Sequence, residues 1–324
     1  MNAEFDIKNI VPFLLPEHFQ KVEDAKKNKI SFVHYTSADS LLKILSGGMW
    51  LRNARFMNDF SEIDHGGECL RKAWNSGSGQ EFRKLLDNFS EGFSDKFSTF
   101  FDSYNHSRTY ESYLFSVGEH GSEATNEDEY GRLSMWRAYG GNVNVAIVLN
   151  QTAFFNETDA LSAYTVPVVY RTVEQFESYF ETITPRISAI LSARSGLDPD
   201  FLKGQLFWAF HFLTLSIKHP GFEEEKEWRV VYSPNHWKST SIKSSTEVIQ
   251  GIPQKVFTLK LESDPKVGLV GLSPDELLKE VIIGPTEPDY EIPLRDAIVA
   301  KLEEASVADA RSKVRFSGIP LRRN

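Results

Sequence analysis

Ile30-Ser31-Phe32-Val33-His34-Tyr35, then Thr36-Ser37-Ala38-Asp39, then Leu41-Leu42-Lys43-Ile44-Leu45-Ser46-Gly47-Gly48, then Met49-Trp50-Leu51, reads as strand, cap, helix and strand in one short run. Phe, Val and Tyr favour an extended chain, so Ile30–Tyr35 is a strand. Thr36, Ser37 and Asp39 offer side-chain oxygens to the free N–H groups of a helix start. Leu41, Leu42, Ile44 and Leu45 place an apolar stripe on that helix, and Gly47-Gly48 ends it as a left-handed cap does. Met49–Leu51 is the second strand.

Outward from this unit, Glu17–Asn28 is polar and helix-compatible. The stretch from Glu62 to about Asn105 is mostly helical, with Ser76-Gly77-Ser78-Gly79 as a break. Tyr110–Val117, Val143–Leu149, Tyr164–Tyr170, Lys226–Tyr232, Val256–Leu261 and Glu280–Gly284 have strand patterns. Thr172–Ser192, Asp198–Lys218 and Ile292–Glu304 have helical ones, Arg132–Tyr139 is a short helix stopped by Gly140-Gly141, and acidic Glu119–Glu129 reads as an exposed loop. Strands and helices alternate without the regular spacing of a doubly wound sheet, which gives an α+β class. The organisation expected is an N-terminal helical extension over 1–30, one α+β domain over 31–310 with helical insertions around 62–105 and 172–218, and a basic C-terminal tail over 311–324.

Composition bounds the function. The chain has 324 residues, 41% of them hydrophobic and 25% charged, and Lys+Arg 36 against Asp+Glu 45 gives a net charge of −9. Area scaling lets a chain of this mass bury about three quarters of its unfolded surface, so one sizeable core is possible. A pI near 5.5 argues against a broad electrostatic grip on nucleic acid, although Arg311, Lys313, Arg315, Arg322 and Arg323 form a basic patch, read here as a solvated tail. Cys69 is the single cysteine, which excludes an internal disulfide and a four-thiolate zinc site and fits a reducing cytosol. Pro12 and Pro16 interrupt the first apolar run, and no run reaches the length of a membrane span.

Phosphate-loop, dinucleotide-fingerprint and nucleophile-elbow motifs are absent. Glu62 and His65 stand at Glu-x-x-His spacing but lack a second copy, so no metal is expected and a solvated helix face accounts for them. Three clusters bear chemistry. His34, Tyr35 and Thr36 at a strand end either hold a polar ligand or leave His34 half-buried on a neighbouring carbonyl. In Glu225-Lys226-Glu227-Trp228-Arg229-Val230-Val231-Tyr232, period two puts Trp228, Val230 and Tyr232 on one face and Glu225, Glu227 and Arg229 on the other. There a guanidinium keeps Glu227 ionised and oriented to stabilise an oxocarbenium-like ribose, or the two make an exposed ion pair of less than about 1 kcal/mol. Asn58, Asp59 and Glu62, together with Arg137, Trp136 and Tyr139, are either ligand contacts or ordinary turn and core residues.

Two resemblances add to this reading. The order His34-Tyr35-Thr36, Met57-Asn58-Asp59 with Glu62, Met135-Trp136 with Tyr139, Glu225-Lys226-Glu227-Trp228-Arg229 and Ile282-Ile283-Gly284-Pro285 resembles bacterial domain-of-unknown-function family two-nine-seven-one. Related domains of that kind occur among phage-resistance proteins. Locally, His34-x-Thr36, Leu41 and Ile44-Leu45-Ser46-x-Gly48 resemble the first strand, helix and glycine of the ADP-ribosyltransferase fold in its His-Tyr-Glu branch. That resemblance implies a mixed β-sheet core with inserted helices and NAD as substrate. It also implies a ribose-holding role for His34, a nicotinamide-amide contact at the Tyr35 main chain, and a catalytic glutamate at Glu227 or Glu225. Tyr110, Tyr113 and Tyr139 are candidates for the tyrosine that stacks on nicotinamide.

The sequence therefore predicts a cytoplasmic, NAD-dependent ADP-ribosyltransferase-like enzyme that modifies a protein or nucleic-acid acceptor, a phage-defence or toxin effector. Glu227, His34 and Arg229 are its catalytic candidates, and His34, Tyr35, Thr36, Asn58, Asp59, Glu62, Arg137 and Tyr139 its cofactor-binding ones. The alternatives are a non-catalytic sensor that binds a nucleotide or phage protein, and a metal-dependent nuclease using Asp59, Glu62 and Glu227. No membrane partner is expected.

Overall fold

The computed structural model describes residues 10–56, 60–123, 125–139, 143–156, 158–194, 196–249 and 251–320. Among these residues the strands are β1 Ser31–Ser37, β2 Met49–Asn53, β3 Tyr113–Glu119, β4 Asn144–Asn150, β5 Ala163–Pro167, β6 Val169–Tyr170, β7 Ile217–Lys218, β8 Glu227–Tyr232, β9 Ile242–Ile249, β10 Ile252–Leu259, β11 Leu278–Ile283 and β12 Val314–Phe316. The chain divides into two compact units, one made of residues 1–24, 54–111 and 166–223, the other of 25–53, 112–165 and 224–324.

The first unit is helical. Phe60–Asn75, Gly77–Phe89, Phe93–Glu111, Tyr179–Ala193 and Pro199–Ser216 are its long helices, and the Ser76 hydroxyl caps the second by accepting from Gly79 N. Aromatic side chains fill its interior: the Trp74 ring lies 5.5 to 6.3 Å from those of Phe82, Phe97, Phe180 and Phe210. Edge-on contacts of this kind bury large apolar area and suit the ring quadrupoles. The stretches expected as insertions, 62–105 and 172–218, fall in this unit.

The second unit is built on a ten-stranded sheet in the order β12-β11-β4-β1-β3-β2-β10-β9, with β8 paired to β3 and to β5. The joins from β11 through β9 are antiparallel, and β12 adds parallel to β11, so the sheet is mixed and the class is α+β. The central strands are buried on both faces: Val145–Leu149 and Val281–Ile283 are all buried. Ser37 caps the helix Ala38–Gly47 by accepting from Ser40 N. Gly48 follows at φ +102, where a Cβ would stand 2.4 Å from the Leu259 carbonyl oxygen, so glycine meets both a conformational and a steric demand.

Four expectations change. Tyr110 belongs to the helix Phe93–Glu111, and the strand starts at Tyr113, because the aromatic alternation also fits a helix end. The run Tyr164–Tyr170 splits into β5 and β6, which belong to different sheets. Residues 311–316 are not a free tail: Val314–Phe316 is an edge strand, with Arg315 ion-paired to Glu280 at 2.7 Å. The acidic stretch after β3 is not simply an exposed loop, since it contains the helix Asn126–Tyr130 and its Glu127 and Asp128 are half-buried. No described helix is long and apolar enough to cross a membrane.

Candidate functional site

Sheet register decides which side chains meet. Residues directly opposite in an antiparallel ladder share a face, and neighbours along a strand alternate. Val33 pairs with Gly118, and Gly118 pairs with Glu227. Val33, Tyr35, Ser116, Glu227 and Arg229 therefore share one face, while Phe32, His34, Phe115, Val117 and Trp228 share the other. Ring contacts agree: Tyr35 meets Trp136 at 4.8 Å, whereas His34 meets Phe115 at 4.7 Å and Phe32 meets Trp228 at 5.3 Å.

Around Glu227 this face is polar and enclosed. Arg229 donates from Nε to Glu227 Oε1 at 2.8 Å and from Nη2 to Oε2 at 2.9 Å, and the two residues are only 3% and 6% exposed. Such a two-point, charge-assisted pair fixes the carboxylate's orientation. Tyr139 Oη donates to Glu225 Oε1 at 3.3 Å, and both side chains are half-buried. Buried Arg132 ties the face together: its main-chain N–H donates to Tyr35 Oη at 2.7 Å, and its guanidinium donates to the carbonyls of Glu225 and Glu119 and to the Glu127 carboxylate. Lys226 reaches the other Glu127 oxygen at 3.1 Å. Burial works to raise the Glu127 pKa, but Arg132 and Lys226 outweigh it and hold the carboxyl below its usual range. Burial pushes the Tyr35 phenol up, which keeps it neutral as an acceptor.

Trp136 anchors the same face from the helix Leu133–Ala138. It packs in a cluster with Val33, Tyr35, Ala146, Val148 and Ile282, Tyr139 lies against it, and its Nε1 donates to the Tyr130 carbonyl at 2.9 Å. Gly284 permits this, since a Cβ there would sit 2.8 Å from Trp136 Cε3.

His34 has other work. The β1–β3 ladder covers only Phe32 and Val33, whereas β1 stays paired with β4 through Ser37. Where β3 parts from β1, His34 Nδ1–H donates to the Ser116 carbonyl at 2.9 Å, so the ring replaces a lost ladder bond. Burial lowers its pKa and the Ser116 bond only partly opposes this, so the ring is neutral near pH 7. It faces a cavity lined by Leu41, Phe115, Ile147, Leu261 and Leu277, of about 20 Å³, room for one water.

The expected site divides accordingly. Glu227 pairs with Arg229 and Glu225 pairs with Tyr139, and the expected exposed ion pair is a buried one. The expected partnership of His34 with Glu227 around one dinucleotide is corrected: their side chains leave opposite faces, and the His34 cavity is far too small for a nucleoside. Half-buried Thr36 lies on the His34 face, opposite Val145. Tyr35 turns its hydroxyl inward to Arg132, and Arg137 is exposed. Asn58 and Asp59 lie outside the described residues, as do the side chains of Glu62 and Tyr110. His65 of the helical unit bonds the Arg171 carbonyl through Nε2 at 2.9 Å. Arg132, Glu127 and Lys226 were not foreseen. An arginine before a tryptophan-bearing helix and a glutamate in an acidic run carry no pattern until the fold brings them together.

Residues 135–230 match the family model described as Protein of unknown function (DUF2971). The match starts within the helix bearing Trp136 and ends in β8 just past Arg229, so it contains Trp136, Tyr139, Glu225, Glu227 and Arg229 but not Tyr35, Glu127 or Arg132. No curated protein and no solved structure matches the chain.

Proposed function

We propose that the chain, whose residues 135–230 match the DUF2971 family model, is a cytoplasmic enzyme that cleaves the nicotinamide–ribose bond of NAD and passes ADP-ribose to a protein or nucleic-acid acceptor. The observation that carries the reading is the buried Glu227 carboxylate, held at both oxygens by Arg229, with a second carboxylate, Glu225, two residues earlier in the chain and bonded by Tyr139. A carboxylate fixed in this way accepts a hydrogen bond from a ribose hydroxyl and stabilises the positive charge that develops at C1′. The C1′–N bond breaks with its electron pair leaving on nicotinamide, and the acceptor's nucleophile adds to C1′ and gives up its proton. Glu225 and Tyr139, the more exposed pair, take the ribose and the nicotinamide ring. In this reading His34 supports β1 and β3 and does not touch substrate, and phage defence is the setting that the family resemblance suggests.

The test is nicotinamide release from carbonyl-labelled NAD by the full chain, with adenine-labelled NAD to follow transfer into macromolecules. Release by the wild type that falls by about 10²–10³ in Glu227→Gln supports the reading. No release above buffer, or equal release by the variant, contradicts it. One observation favours a second reading, a non-catalytic nucleotide sensor: Arg229 already engages both oxygens of Glu227, as a structural pair would. A sensor shows a ligand-dependent rise in Tm with no nicotinamide released.

A further inference from the structure

We propose that His120, Asp128 and Glu280 form a binding site for one divalent transition-metal ion of the Zn²⁺ class, which pins the acidic helix Asn126–Tyr130 to the sheet. The three residues come from separate elements. His120 follows β3 and is fixed by its main-chain N–H donating to the Ser31 carbonyl at 2.9 Å, Asp128 sits on the short helix, and Glu280 sits on β11. His120 Nε2 lies 3.2 Å from Asp128 Oδ1 and 3.8 Å from Glu280 Oε1, and one donor atom from each residue falls within 4.8 Å of the others.

The imidazole itself calls for a partner. Its side chain is 0% exposed, yet among the described residues Nδ1 has no hydrogen-bond partner and Nε2 has only the two carboxylate oxygens in front of it, without hydrogen-bond geometry. A buried ring nitrogen that faces carboxylates without making a good hydrogen bond is costly, and an ion between Nε2 and those oxygens removes that cost. The carboxylates are 25% and 20% exposed, which leaves room for water to complete the coordination. One imidazole nitrogen with two carboxylate oxygens suits Zn²⁺ or Mn²⁺ better than Mg²⁺ or Ca²⁺, which prefer all-oxygen shells.

Arg315 belongs to the arrangement. It donates from Nε to Glu280 Oε2 at 2.7 Å and from Nη2 to Oε1 at 3.0 Å, and it also bonds the carbonyls of Asp128 and Glu129. A carboxylate oxygen has a second lone pair for an ion, so Arg315 orients Glu280 as an outer-shell partner does. Asp128 follows Glu127, which holds Arg132 and Lys226, so an ion here also steadies the border of the Glu227 face.

The experiment uses the full chain stripped with chelator, then titrated separately with ZnCl₂ and MnCl₂ by calorimetry, with Tm followed in parallel. One equivalent of either ion binding with a rise in Tm, and affinity lowered on the order of tenfold or more in both Asp128→Asn and His120→Asn, supports the site. Asp128→Asn keeps the buried ring in place, so it reports even where His120→Asn fails to fold. No saturable binding of either ion to the wild type, or binding unchanged in Asp128→Asn, overturns it.

Discussion

The two faces of the sheet around β1, β3 and β8 differ in kind although one strand feeds both. On the Tyr35 face, charged groups are buried and mutually satisfied through Arg229–Glu227 and the Arg132 network. On the His34 face, aromatic and aliphatic side chains close over a cavity of one-water size, and the single imidazole there mends a gap in the ladder. A polar strand residue is thus informative only once its face and its partners are known. Glu227 and His34 look equally chemical in the sequence, and the fold gives one of them a charged partner and the other a carbonyl.

Substitutions on the two faces should separate in size. The largest effect is expected from Arg229→Leu, which leaves a buried carboxylate unpaired and costs about 3–5 kcal/mol by urea denaturation. Replacing Glu227 by Leu in the same chain should recover most of that loss. A single-variant cost below about 1 kcal/mol would show that the pair is solvated. Tyr35→Phe comes next, at about 1–3 kcal/mol, because the buried Arg132 N–H loses its acceptor. His34→Leu should cost only about 0.5–1.5 kcal/mol, the value of one hydrogen bond in an otherwise apolar place.

The same variant sharpens the contrast through pH. Burial sets the folded pKa of His34 below its unfolded value near 6.5, so the unfolded chain takes up the proton first. The stabilisation from keeping this ring neutral is complete above about pH 6.5 and declines as pH falls towards the folded pKa. A ΔG–pH curve for His34→Leu should accordingly be flatter than wild type below pH 6.5, and parallel curves would contradict the assignment. The smallest effect is expected for Lys226→Ala, whose half-exposed pairing with Glu127 is worth about 0–1 kcal/mol and should weaken further in high salt.

Much of this was legible in the sequence where local physics dominates. Ser37 as cap, Gly48 as stop and the period of two in β8 each follow from neighbouring residues, and that period correctly put Glu227 beside Arg229. Legibility failed where partners are distant. That His34 and Glu227 point apart depends on the register of β1 on β3 and of β3 on β8, which no local pattern encodes. Strand β9 carries no clear pattern because Ile242 is its one buried residue and Lys243–Glu247 between its apolar ends are all polar. The basic residues near the C-terminus read as a tail because the Glu280 that receives Arg315 lies 35 positions away.

Hydrogen–deuterium exchange of the full chain with and without NAD tests most directly the claim that ligand chemistry belongs to the Glu227 face. The account predicts slower exchange at Leu133–Tyr139 and Glu225–Arg229, with Ala38–Gly47 and Pro274–Leu278, which border the His34 cavity, unchanged. Slowing confined to those last two segments would contradict it.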